Sequence, residues 1–155
     1  MKKQVTVVAA DHTGITVKNI ETSLAFRRDV LGFELSHRAH HRGELASEVT
    51  GIPGAEILIA VLKGYGHKIE LLQYLAPAER RHLDLRPCDL GSVHVAFTVN
   101  DLDPVLEIVA GSGWKAVGTP QTLLSGPNVG KRVVYVRDAD GTTIEFMQLP
   151  QTAPS

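Results

Sequence analysis

The chain has little of what marks several protein classes. Cysteine occurs once, at Cys88, so no disulfide can form within the chain and a reducing compartment is the simplest setting. No activating base neighbours that thiol in sequence, and it reads as an inert group in a loop. No segment approaches the roughly 18 uninterrupted apolar residues of a membrane-crossing helix. The opening "MKKQVTVVAADH" carries two lysines but meets Asp11 and His12 before an apolar signal core can develop. Together these absences give the expectation of a cytosolic protein with no membrane partner. An excess of one charge is missing as well. Sixteen Lys and Arg against 17 Asp and Glu leave a formal charge of −1, spread along the chain, which excludes a basic footprint for nucleic acid.

What is present is enough for one folded unit. A chain of 155 residues with 43% hydrophobic content buries roughly two-thirds or more of its unfolded surface on folding. The informative pattern is an internal repeat. Setting His12 on His94 aligns "HTGITVKNI" with "HVAFTVNDL": a Thr follows each His at plus four, a Val at plus five and an aliphatic at plus eight. Setting Glu70 on Glu145 aligns "KIELLQ" with "TIEFMQ". The first half is longer between these matching ends, so it carries an insertion, and the whole reads as a duplicated module.

Each half has the same order of elements. In the first, "TGITV" alternates as a strand, and "ETSLAFRRDVLG" spaces Ile20, Leu24 and Leu31 along one helical face before stopping at Gly32. "FELSHR", "AEILIAVLKG" and "HKIELLQYL" then read as strands, the last two joined by a "GYGH" hairpin turn. In the second, "VHVAFTV" is the strand, and Asp103 followed by Pro104 predicts an N-cap with proline at the first helical position. "KAVGTPQTLL", "KRVVYVRD" and "TTIEFMQLP" follow as strands, with "DADG" as the last turn. The modules span about residues 8–75 and 91–150, residues 76–90 form the linker, and "PQTAPS" is a loose tail.

Strand periodicity sets which side chains share a face. His94, Ala96 and Thr98 point one way, opposite Val95, Phe97 and Val99. His12, Gly14 and Thr16 share a face opposite Ile15 and Val17. Both histidines therefore stand among small or hydroxyl residues. Glu70 and Glu145 lie between large apolar neighbours on the closing strands, where an ionised carboxylate costs several kcal/mol unless it is paired or coordinated.

These residues carry a resemblance. The strand–helix–three-strand order in two modules resembles the vicinal oxygen chelate superfamily, which includes glyoxalase I, methylmalonyl-CoA epimerase, extradiol dioxygenases and bleomycin-resistance proteins. "HTGITV" and "VHVAFTV" open the modules, and "KIELLQ" and "TIEFMQ" close them. "SLAFRRDVLGFEL" and "VYVRDADGTTIEF" are similar to the family's helix-to-strand and terminal-turn signatures, with Ala139 where the turn usually has proline. The resemblance implies an α+β fold of two βαβββ modules whose curved mixed sheets form a cleft. It also implies that His12, Glu70, His94 and Glu145 hold one divalent metal, Ni, Co, Zn, Mn or Fe, a mixed nitrogen and oxygen set suited to such ions.

The same resemblance implies the chemistry. A small substrate would chelate the metal through adjacent oxygens, and proton removal next to its carbonyl would give a stabilised enediolate or enolate, as in glyoxalase-type lyases, isomerases and epimerases. Glu145 or Glu70 is the candidate catalytic base. Val93, Arg27 and the absence of a recognisable glutathione pocket depart from glyoxalase I, and Glu70 stands where the epimerases usually have Gln. Glu48 and Glu56 lie near the epimerases' separate base. Two other classes remain open. One is an Fe(II) extradiol-type dioxygenase using His12, His94 and Glu145, with Glu70 as a surplus carboxylate; the other is a metal-free small-molecule or antibiotic-binding protein of the bleomycin-resistance type. A homodimer is the implied assembly. His37, His40 and His41 read as surface or substrate-facing groups, and His67 and His82 as solvated ones. Lys131, Arg132 and Arg137 are candidates for a substrate carboxylate, and residues 124–132 for a flap.

Overall fold

The structure is a computed structural model describing residues 5–151. The chain divides between Arg80 and Arg81 into two units. The last four residues of the expected tail lie outside the described residues. Among those described, no helix is long and apolar enough to cross a membrane.

The first unit runs β1 (Thr13–Thr16), α1 (Ile20–Ala25), β2 (Glu34–His41), α2 (Gly43–Thr50), β3 (Glu56–Gly64) and β4 (His67–Ala76). Its sheet has the order β1-β4-β3-β2, with β1 parallel to β4 and the other pairs antiparallel. Helix α1 starts where the Asn19 side chain accepts from the Thr22 N–H and passes directly into a π-helical turn, Phe26–Val30. The Leu31 N–H bonds the Phe26 carbonyl there, and Gly32 then takes a left-handed φ of 77° that ends the helix. Ile20 and Leu24 bury against β3 and β4, whose Ala60, Leu62, Ile69 and Leu71 are fully enclosed. Each of the Leu and Ile side chains contributes on the order of 1.5–3 kcal/mol relative to exposure. The "GYG" turn interlocks with the helix stop. Tyr65 donates to the Leu31 carbonyl, its ring meets Phe33 edge-on at 5.3 Å, and a Cβ on Gly64 would stand 2.9 Å from the Phe33 ring.

The second unit repeats the plan with β5 (His94–Val99), α3 (Leu102–Gly111), β6 (Lys115–Ala116), β7 (Gln121–Thr122), β8 (Arg132–Arg137) and β9 (Thr143–Gln148). The order is β5-β9-β8-β6, with β7 also on β8, and the first and last main strands are again parallel. Val134, Val136, Ile144 and Phe146 are buried with Leu102, Val109 and Trp114.

Two local expectations, the α3 cap and the strand over 115–124, differ from the structure. Asp101 caps α3, accepting from the Asp103 N–H, so Asp103 and Pro104 lie inside the first turn. Proline is tolerated there because the first-turn N–H groups have no partner within the helix. The region after β2 holds the short helix α2. The single strand expected over 115–124 is two short pieces, β6 and β7, separated around Gly118 and Pro120. The expected flap is a loop closed at its base, where Leu123 N–H bonds the Lys131 carbonyl at 2.9 Å and Gly130 N–H the Leu123 carbonyl at 2.8 Å.

Candidate functional site

Each unit positions one His–Glu pair by the same register. In the first, Gly14 of β1 lies beside Glu70 of β4, and His12 stands two residues before Gly14, on the same face. Exposure alternates along β1 so that Gly14 and Thr16 are open while Thr13 and Ile15 are half-buried. Nε2 of His12 lies 3.5 Å from Oε1 of Glu70. In the second unit Ala96 of β5 lies beside Glu145 of β9, and His94 stands two residues before Ala96. His94, Ala96 and Thr98 are the open face, as the alternation predicts. Nε2 of His94 lies 3.2 Å from Oε2 of Glu145. The structure thus brings His12 to Glu70 and His94 to Glu145, each pair within its own unit.

The repeated Gln and the aliphatic at plus eight also acquire a meaning. Gln73 Oε1 accepts from the Ile20 N–H at 2.7 Å, and Gln148 Oε1 accepts from the Leu102 N–H at 2.9 Å. In both units the strand that carries the Glu therefore holds the first turn of the helix three residues later. The next helical residue is acidic in both, and each bonds an arginine of its own sheet: Glu21 with Arg38, and Asp103 with Arg132.

The imidazoles differ in their outer contacts. Nδ1 of His12 donates to Asp11 Oδ2 at 2.8 Å, and Lys68 donates to the other Asp11 oxygen. The hydrogen bond from Lys68, then that from His12, holds the Asp11 carboxyl down at about 2. His94 instead packs against Tyr135, with ring centroids 4.8 Å apart; Tyr135 is the cross-strand neighbour of Glu145. Asp11, Lys68 and Tyr135 were not singled out by sequence reasoning, although the "DH" dipeptide was a usable signal for the first.

The other candidates separate by face. His37 and His41 share the face of Glu70, since His37 pairs with Val61, which pairs with Glu70. His40 is on the opposite face and meets Glu56 at 2.7 Å. His67 is not simply solvated: its Nε2 lies 2.9 Å from Thr13 Oγ1. Arg132 is committed to Asp103 and Gln148 on the helix side, and Lys131 to Asn128. Arg137 is on the Glu145 face, where its Nη2 reaches Asp84 and the Gly141 carbonyl. Arg27 is buried in the π-helical turn, donating to the Ser23 carbonyl.

The donor chemistry fits a divalent cation. The Glu70 and Glu145 side chains are only 22% and 17% exposed, and among the described residues neither forms an ion pair with Lys or Arg. Among the described residues each carboxylate meets one imidazole nitrogen and no Lys or Arg, an arrangement that a divalent cation would complement. Among the described residues, no three His, Cys, Asp or Glu side chains converge within either unit as a metal site.

Comparisons with known proteins place the chain. Residues 9–146 match the model of the Glyoxalase/Bleomycin resistance protein/Dioxygenase superfamily. A 2-epi-5-epi-valiolone epimerase of Actinomyces sp. is 33% identical over 152 residues, covering 95% of this chain and 82% of that protein. A lactoylglutathione lyase of Neisseria meningitidis is 30% identical over 140 residues, covering 88% of each. A glyoxalase family protein of Bacillus cereus superimposes with a TM-score of 0.80 at 28% identity, covering 97% of this chain and 99% of that one. The two His–Glu pairs sit in a matching βαβββ frame on both sides of the linker, and the chain belongs to the glyoxalase, bleomycin-resistance and dioxygenase superfamily.

Proposed function

We propose that this protein is a divalent-metal-dependent enzyme that moves a proton at a carbon next to a carbonyl, and that it works as an epimerase on a small ketone with adjacent oxygens. The observation that carries the reading is the duplicated pair: an imidazole nitrogen within 3.5 Å of a mostly buried carboxylate in each unit, set by the same strand register. The relative named as an epimerase of a compound ending in "-one", a ketone, supports this reaction over glutathione-dependent lysis.

His12, His94, Glu70 and Glu145 would hold the cation. When bound, it would supply Lewis acidity to a substrate carbonyl. The chain's own residues do the rest. An Oε of Glu145 or Glu70 takes the proton from the carbon next to the carbonyl, and a carboxyl returns one to the other side of that carbon. The imidazoles hold charge-neutral donor positions. Gly14, Ala96, Thr16 and Thr98 keep the surrounding strand face free of bulk. A homodimer and a cytosolic setting complete the proposal.

The test joins metal analysis of protein purified without added metal to a deuterium-exchange assay on hydroxy ketones, 2-oxoaldehyde–glutathione conjugates and acyl-CoA thioesters. The expected result is one Ni, Co, Zn or Mn ion per chain, with solvent deuterium entering next to a ketone carbonyl. Glu145→Gln or Glu70→Gln should slow that exchange about 10²–10⁴-fold. Iron with oxygen uptake on catechols would make the protein a dioxygenase. A chain that binds a small molecule without metal would make it a sequestering protein.

A further inference from the structure

The unequal surroundings of the two imidazoles point to a group outside the four-residue set. We propose that Asp11, anchored by Lys68, is a positioning residue that fixes the tautomer and ring orientation of His12. The inference rests on the reading of His12 as a metal ligand.

An ionised carboxylate only accepts hydrogen bonds, so the 2.8 Å contact between Asp11 Oδ2 and His12 Nδ1 places the imidazole proton on Nδ1. In the neutral ring Nε2 then carries the lone pair, and Nε2 is the nitrogen 3.5 Å from Glu70. Asp11 is itself held. Lys68 donates to its other oxygen, so both carboxylate oxygens are engaged and the carboxylate plane is set. Lys68 is on β4 two residues before Glu70, on the same strand face. One strand therefore supplies the carboxylate beside Nε2 and the ammonium that anchors the acceptor beside Nδ1.

Among the described residues the second unit has no such device. Val93 stands in the place of Asp11 and Thr143 in the place of Lys68, and neither can do the same work. His94 instead packs against the Tyr135 ring. A carboxylate accepting from Nδ1–H raises the basicity of the ligating nitrogen as well as aiming it. His12 is thus the better-organised imidazole of the two.

The experiment uses the full chain without metal, at about pH 8 where imidazoles are neutral. Long-range proton–nitrogen NMR reads the tautomers of His12 and His94, and calorimetric titration reads Ni²⁺ affinity. The wild type should hold His12 in the Nδ1–H form. Asp11→Ala should mix the tautomers of His12 alone and weaken Ni²⁺ binding about tenfold, with an unchanged thermal transition. Lys68→Met should fall between the two, and Asp11→Glu should restore part of both readouts. The proposal is overturned if Asp11→Ala leaves the His12 tautomer as in wild type, whether or not affinity falls. A wild-type chain that binds neither Ni²⁺ nor Co²⁺ sinks the proposed function, and the tautomer comparison then decides the orienting role of Asp11 by itself.

Discussion

The two units solve one placement problem with one set of devices and then diverge at the imidazole. Both bring a His from the opening strand to a Glu on the closing strand by the same parallel register, and both use the Gln three residues after that Glu to hold the helix start. Both pin the second helical residue to an arginine of the sheet. Beyond that frame the first unit surrounds its imidazole with charge, Asp11 and Lys68, and the second with a ring, Tyr135. The shared helix caps and arginine bridges belong to the scaffold, and the unshared groups surround the candidate ligands. That division separates what the module needs in order to fold from what each half does with it.

The largest expected effect tests whether the two cores support their pairs separately. Phe146 is enclosed beside Glu145 and Leu71 beside Glu70. Phe146→Ala should cost about 3–5 kcal/mol and Leu71→Ala about 2–5 kcal/mol in urea denaturation. Hydrogen exchange should show the first loosening β5, β8 and β9, and the second β1, β3 and β4. Equal loosening of both sheets by either variant would mean the units share one core.

A middle-sized effect separates the two Gln caps. Gln148 is buried at 1% exposure and also lies 3.2 Å from Arg132 Nη1, whereas Gln73 is half-buried. Gln148→Ala leaves the Leu102 N–H enclosed without its acceptor and should cost about 1–3 kcal/mol. Gln73→Ala should cost less, because water reaches the Ile20 end more readily. Denaturation midpoints of the two variants at one pH decide the order.

The smallest effect concerns the first arginine bridge. The hydrogen bond from Arg38 holds the Glu21 carboxyl below its usual 4.5. A lowered folded-state value means the stabilisation is present above the unfolded value and is lost as pH falls through the folded one. Both groups are exposed, so salt should screen the effect. The stability difference between wild type and Glu21→Gln should be slight at neutral pH, shrink on acidification below the ordinary glutamate range, and fade in high salt.

Much of this was legible in the residues because the governing patterns are short in range. Strand alternation gave the open faces around His12 and His94, and the GYG turn and Gly32 gave the hairpin and helix stop. The repeat of Ile-Glu and Gln marked the closing strands. What escaped notice depended on competition or on partners far apart in sequence. "NDLDP" holds two acidic capping candidates, and Asp101 caps because its backbone is extended, with φ of −140°. Helix α2 exposes Leu45 and Val49 and buries only Ala46, so its apolar spacing does not report burial. Lys68 reaches Asp11 across a strand pair, a contact that neither local periodicity nor motif spacing encodes.

The parallel pairing of first and last strands has a consequence for how the protein matures and breathes. β1 and β5 are edge strands, and β1 is only four residues long. Each His–Glu pair forms only when the opening strand docks onto the closing one, which requires closing a long loop. Fraying of that same edge would part imidazole from carboxylate while the other strands of the sheet stayed paired, so each His–Glu contact opens by peeling one short ribbon rather than by melting the fold.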